Sequence, residues 1–99
     1  MIIVTNIAYP PESSQDMAKR FLEAPQFPNY LTRKGPYINS TLNDGITILS
    51  VYELDKSKLG EGYEFIGNYL AMFFGVPGFK YEIKPFFEIE EGLKMIGMG

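Results

Sequence analysis

The chain has 99 residues, 45% of them hydrophobic and 15% aromatic, which suits one compact domain, residues 1–99, around a single core. Its charged residues make up 21% and sum to a net charge of −3, so it lacks the electropositive field that nucleic acid or an anionic membrane requires. With neither cysteine nor histidine, the chain by itself excludes disulfides, thiolate nucleophiles, cysteine-ligated metals, a Ser-His-Asp arrangement and a haem held by a proximal histidine.

Ile2 to Tyr9 is β-branched or apolar at nearly every position and predicts a strand buried on both faces, ended by Pro10-Pro11. Met1-Ile2-Ile3-Val4 carries no positive charge and runs into Thr5-Asn6, so it reads as part of that strand and not as a secretory signal. The longest apolar stretch, Tyr69 to Pro77, is far shorter than the roughly 20 residues of a membrane span, and a soluble cytoplasmic protein is expected. Ser13 and Asp16 resemble a helix cap, and Met17, Phe21 and Leu22 recur at helical spacing, which predicts a first helix over Ser14 to Ala24, stopped by Pro25.

Pro25 to Pro36 is rich in proline and reads as an ordered loop with a short turn near Tyr30 to Arg33. Arg33-Lys34 within it is expected in solvent. A hairpin follows: a strand from Tyr37 to Leu42, a turn at Asn43-Asp44-Gly45 and an apolar strand from Ile46 to Leu54. Asp55-Lys56-Ser57 supplies an N-cap for a second helix from about Lys58 or Glu61 to Phe74, ended by Gly75 and Pro77, with Phe65, Tyr69, Phe73 and Phe74 toward the core. Gly67 within it is expected where the helix comes close to the sheet. Lys80 to Phe87 alternates as a half-exposed strand, placed at an edge by Pro85, and Ile89, Leu93 and Ile96 fall on one side of a short C-terminal helix.

This order predicts an α+β fold of the ferredoxin-like βαββαβ kind: a four-stranded antiparallel sheet with two helices on one face, plus the short C-terminal helix. The first and third strands are central, yet they carry apolar side chains on both faces, and two helices cover only one. A second copy packed sheet to sheet about a two-fold axis is the economical cover, so the expected partner is the chain itself, as a homodimer. Through Ile2 to Tyr9, the Asn43-Asp44-Gly45 hairpin and Gly78-Phe79-Lys80-Tyr81, the chain resembles the dimeric α+β barrel superfamily, as a member without a diagnostic catalytic motif. That resemblance implies a barrel built from two sheets, in a family that includes small monooxygenases, isomerases, haem-binding enzymes and members of no known activity.

If the hairpin loop holds an even number of residues, Tyr37, Asn39 and Thr41 share a face with Ile48, Ser50 and Tyr52, while Ile38, Leu42, Leu49 and Val51 face the helices; an odd loop or a bulge dissolves that grouping. Tyr37, Asn39, Ser50 and Tyr52 are thus the candidate ligand-binding residues of a cavity between paired sheets, where tyrosines offer apolar bodies with polar tips. The same residues also suit simple filling of an interface. Asn6 and Tyr9 point to opposite faces, so at most one joins them.

Glu53, ending an apolar central strand, is the candidate general base if buried and an ordinary solvated carboxylate if not. Glu88, Glu90 and Glu91 straddle a strand end and a helix start and read as helix-dipole partners rather than a metal site. No cofactor is expected. The expected function is binding of a small, partly apolar molecule between the paired sheets; the alternative is a cofactor-independent monooxygenase or isomerase acting on an enolisable or phenolic substrate.

Overall fold

A computed structural model describes residues 1–98. The elements are β1 (Ile2–Tyr9), α1 (Ser14–Leu22), β2 (Thr32–Thr41), β3 (Gly45–Glu53), α2 (Leu59–Ala71), β4 (Lys80–Phe86) and α3 (Ile89–Met95), with single 3-10 turns at Pro11–Ser13 and Lys56–Lys58 leading into α1 and α2. The strands form one antiparallel sheet in the order β2-β3-β1-β4, the ferredoxin-like topology, with α1 and α2 on one face. Pro85 lies on the edge strand β4, opposite Ile3, where its missing N–H costs the sheet least.

β1 alternates cleanly. Ile3, Thr5, Ile7 and Tyr9 are buried beneath the helices, whereas Ile2, Val4 and Ala8 are half-buried and Asn6 is exposed on the other, open face. The expectation of a strand buried on both faces therefore does not hold within one chain. Tyr52, Phe73, Ile3, Ile66 and Leu70 form the centre of the core. Phe27 is delivered to it by the loop after α1 and stacks on Tyr52 at 5.5 Å, meeting Phe65 and Tyr69 edge-on at 5.0 Å each.

Two local features set which residues share a face. Thr41 pairs with Gly45, so the hairpin loop is the three residues Leu42-Asn43-Asp44, with Gly45 at φ +75° and the Asp44 N–H donating to Thr41 Oγ1. The odd loop puts Tyr37, Asn39 and Thr41 with Leu49 and Thr47 on the open face. A bulge then interrupts β2: Lys34 opposes Val51 and Tyr37 opposes Leu49, which leaves Gly35-Pro36 across from Ser50 alone. Gly35 has φ +96°, and a Cβ there would lie 2.9 Å from the Leu49 carbonyl oxygen. The stretch expected as loop is thus strand from Thr32 onward, and Arg33-Lys34 belongs to it.

α1 ends at Leu22, two residues before the expected Ala24. Ser13 makes no side-chain cap; its hydroxyl instead donates to the Pro77 carbonyl at 2.6 Å. Arg20 donates to the carbonyls of Met72 and Phe74 at 3.1 and 2.7 Å, capping the C-terminus of α2 with a cation. Before α2, Asp55 accepts from the Ser57 N–H at 2.9 Å, as the N-cap reading required. The close approach expected at Gly67 occurs at Gly62, where a Cβ would lie 2.5 Å from Leu54 Cδ1; around Gly67 there is open space. Tyr69 and Phe73 are buried as expected, but Phe74 follows the helix and is half-exposed beside Phe79 and Tyr81. On α3, Leu93 is half-buried and Ile89 and Ile96 are exposed, so its apolar side is not covered by the chain's own sheet.

Candidate functional site

A half-open cavity of about 340 Å³ lies on the helix side of the sheet, and a larger, more open hollow of about 510 Å³ runs along Asn6, Ala8, Thr47, Lys80 and Glu82 on the other face. β1 contributes Thr5, Ile7 and Tyr9 to the helix-side cavity, β3 contributes Ile48, Ser50 and Tyr52, and β2 contributes Arg33, Pro36 and Ile38. Met17, Ala18, Phe21 and Leu22 of α1 form one wall, and Tyr69 and Phe73 close the end toward α2. The surface is mostly apolar. The hydroxyls of Thr5 and Ser50, residues that register opposite each other on β1 and β3, the tyrosine hydroxyls and Arg33 are its polar groups.

Of the four residues nominated from sequence, Ser50 and Tyr52 border this cavity. Tyr37 and Asn39 do not; they project from the open face, where Asn39 Oδ1 accepts from the Thr47 hydroxyl and Tyr37 is exposed. The grouping of all four on one face fails because the hairpin loop is odd, so Tyr37 and Asn39 register with Leu49 and Thr47 rather than with Ile48 and Ser50. A hollow of about 250 Å³ lies there, touching Asn6, Tyr37, Asn39 and Leu49. Tyr9 faces the helix-side cavity, and Asn6 faces this hollow on the other side.

Arg33 is the cavity-lining residue that the sequence did not nominate. Its guanidinium carbon lies 4.7 Å from the Phe27 ring centroid, 5.4 Å from that of Tyr69 and 5.8 Å from those of Phe21 and Tyr52, a cage in which a weakly hydrated cation is tolerated. One Nη2 hydrogen goes to the Tyr69 hydroxyl at 3.2 Å. Its Nε is buried with no hydrogen-bond acceptor among the described residues. The available signal was Gly35 itself, since a glycine next to proline within an alternating stretch marks a bulge as readily as a loop.

Burial pushes the Tyr52 hydroxyl above its ordinary range; the Arg33 charge and the Ser50 and Thr5 hydroxyls pull it partly back. Tyr52 is therefore a neutral phenol at physiological pH and a hydrogen-bond donor. Burial likewise raises Tyr9. No carboxylate or lysine borders the cavity among the described residues. Glu53 projects from the open face and pairs with Lys34 at 2.6 Å, and this bond raises the lysine above its ordinary value. The candidate base is thus separated from Tyr52 by the thickness of the sheet. Among the described residues no three acidic side chains converge as a metal site, and no helix is long and apolar enough to cross a membrane.

Compared with known proteins, the chain matches no protein-family model and no curated sequence. What the protein can do is set by its cavity. Chemically, the cavity can seat an apolar body and offer it hydroxyl donors and one cation.

Proposed function

We propose that the protein binds a small, partly apolar molecule, held in the cavity between α1 and the sheet and not between paired sheets. The observation that carries this reading is a mostly apolar cavity of about 340 Å³ into which a few polar groups, Thr5, Ser50, Tyr52 and Arg33, converge. Binding sites have this character: an apolar wall for affinity and few polar groups for orientation. The test uses the neutral fluorescent dye N-phenyl-1-naphthylamine. It should bind saturably, and Ala18→Trp, which adds a ring at the α1 wall, should weaken it by about tenfold or more at unchanged circular dichroism. Absence of saturable binding to the folded protein would overturn the reading.

The assembly we propose is a homodimer through the open sheet face, as in the superfamily the chain resembles. That face carries Ile2, Val4, Leu49, Val51 and Tyr37 between two neutralised ion pairs, Lys34–Glu53 toward one edge and Lys84–Glu82 toward the other. An apolar centre with charges of both signs at its borders is self-complementary under a two-fold axis. The radius of gyration, 15.2 Å, exceeds the about 13 Å of a compact chain of this length because the subunit is elongated, 49 × 30 × 19 Å.

A cofactor-independent monooxygenase or isomerase is the second reading, favoured by one observation: Arg33 and the Tyr52 hydroxyl flank the same cavity and could both stabilise an oxyanion. With Glu53 on the far face, the base in such a reaction must come from the substrate or solvent. Turnover of an enolisable or phenolic substrate that survives Tyr52→Phe unchanged would count against it.

A further inference from the structure

We propose that the ligand of this cavity is a small organic monocarboxylate, with its apolar body against α1 and its carboxylate paired to the Arg33 guanidinium. This rests on the cavity being a binding site and adds the charge class of what it binds.

The first support is charge. Arg33 borders the cavity, and it takes part in no ion pair among the described residues, whose five close pairs all involve other groups. The nearest basic neighbour, Lys34, has its own carboxylate in Glu53, on the other face of the sheet. The positive guanidinium of Arg33 sits among four aromatic rings, none of which supplies a negative charge. Its counter-charge has to come from outside the chain or from solvent.

The second support is donor accounting. A guanidinium has five N–H donors, and the Tyr69 hydroxyl takes one. Nε has no acceptor among the described residues although it is shielded from solvent. Buried donors are almost always satisfied, so Nε calls for an acceptor that a small local shift would bring to it, and the guanidinium N–H groups beyond the one given to Tyr69 are left for a ligand. The neighbouring Tyr52 and Tyr69 hydroxyls can add hydrogen bonds to an anion without competing for it by charge.

The third support is what the walls exclude. A dianion such as a phosphate monoester calls for several cations or a cluster of backbone N–H groups, and the cavity borders hold one cation. Ile7, Ile38, Ile48, Met17, Phe21 and Phe73 demand an apolar body. A planar carboxylate, matching the arginine fork, on an aromatic or aliphatic frame meets both conditions.

The test is isothermal titration with naphthalene-2-carboxylate and its neutral isostere naphthalene-2-carboxamide, beside the neutral dye. The wild-type protein should bind the carboxylate at least about tenfold more tightly than the amide, and added salt should narrow the gap. Arg33→Met should abolish the preference for the carboxylate over the amide; Arg33→Gln serves as the second variant, and a folded circular dichroism spectrum qualifies either. If the dye binds but carboxylate and amide bind alike, or if the preference survives both Arg33 variants, the anion assignment is wrong and the cavity reading stands. If the dye fails as well, both fall together.

Discussion

Arg33 and Tyr37 are four positions apart on one strand and project from opposite faces of the sheet, Arg33 toward Tyr69 and the helix side, Tyr37 to the open side. In an unbroken strand such residues share a face, because side chains alternate with a period of two. The extra residue at Gly35-Pro36 shifts the parity. One inserted residue thereby turns the only cation among the cavity's described walls inward.

Gly35→Ala should therefore be costly. The native φ of +96° disfavours any side chain, and the added Cβ would press on the Leu49 carbonyl at 2.9 Å. We expect a loss of about 1–3 kcal/mol in urea unfolding and a weaker affinity for naphthalene-2-carboxylate than for the neutral dye, relative to wild type. A variant as stable as wild type would show that the bulge tolerates a side chain.

The two glycines inside α2 should respond in opposite directions. Gly67→Ala meets open space and gains helix propensity, raising stability by about 0.5–1 kcal/mol. Gly62→Val pushes on Leu54 and Leu31 in a filled region and should lower it by about 1–3 kcal/mol. Thermal melts of both variants check the pair together.

Tyr52 sets an alkaline limit. Its folded-state pKa lies above the ordinary 10.0, chiefly through burial, so folding favours the neutral phenol. That contribution is complete below the unfolded-state value and is lost as pH climbs from about 10 toward the raised folded value. Stability measured between pH 9 and 11 should fall, and Tyr52→Phe should make the fall shallower. An identical slope in the variant would assign the alkaline loss to other groups.

Leu49→Asp places a charge in the middle of the open face, where Leu49 is 38% exposed. In sedimentation the wild type should run as a dimer and the variant as a monomer with an unchanged far-ultraviolet spectrum. A monomeric wild type would remove the dimer proposal.

The strand and helix order was readable because its signals are local: the β-branched run of β1, the cap at Asp55, the Gly75 exit and Pro85 at an edge all act within a few residues of themselves. The site was half readable. Ser50 and Tyr52 were found, but the faces of β2 depend on whether a turn holds two or three residues and on whether Gly35-Pro36 ends a loop or bulges a strand, and composition does not distinguish these. Arg33 was hidden for that reason. Ser13 and Arg20 eluded the reading for a different one, since their acceptors, Pro77, Met72 and Phe74, lie more than 50 residues away in sequence.

Those last two side chains hold α1 at either end to a single stretch of chain, Ser13 to the carbonyl of Pro77 and Arg20 to those of Met72 and Phe74. A cavity wall riveted in this way does not swing by itself. Any breathing that admits a ligand must carry the 72–77 connection along with the helix, so amides in the two segments should exchange with deuterium as one cooperative unit, slowed together when the cavity is filled.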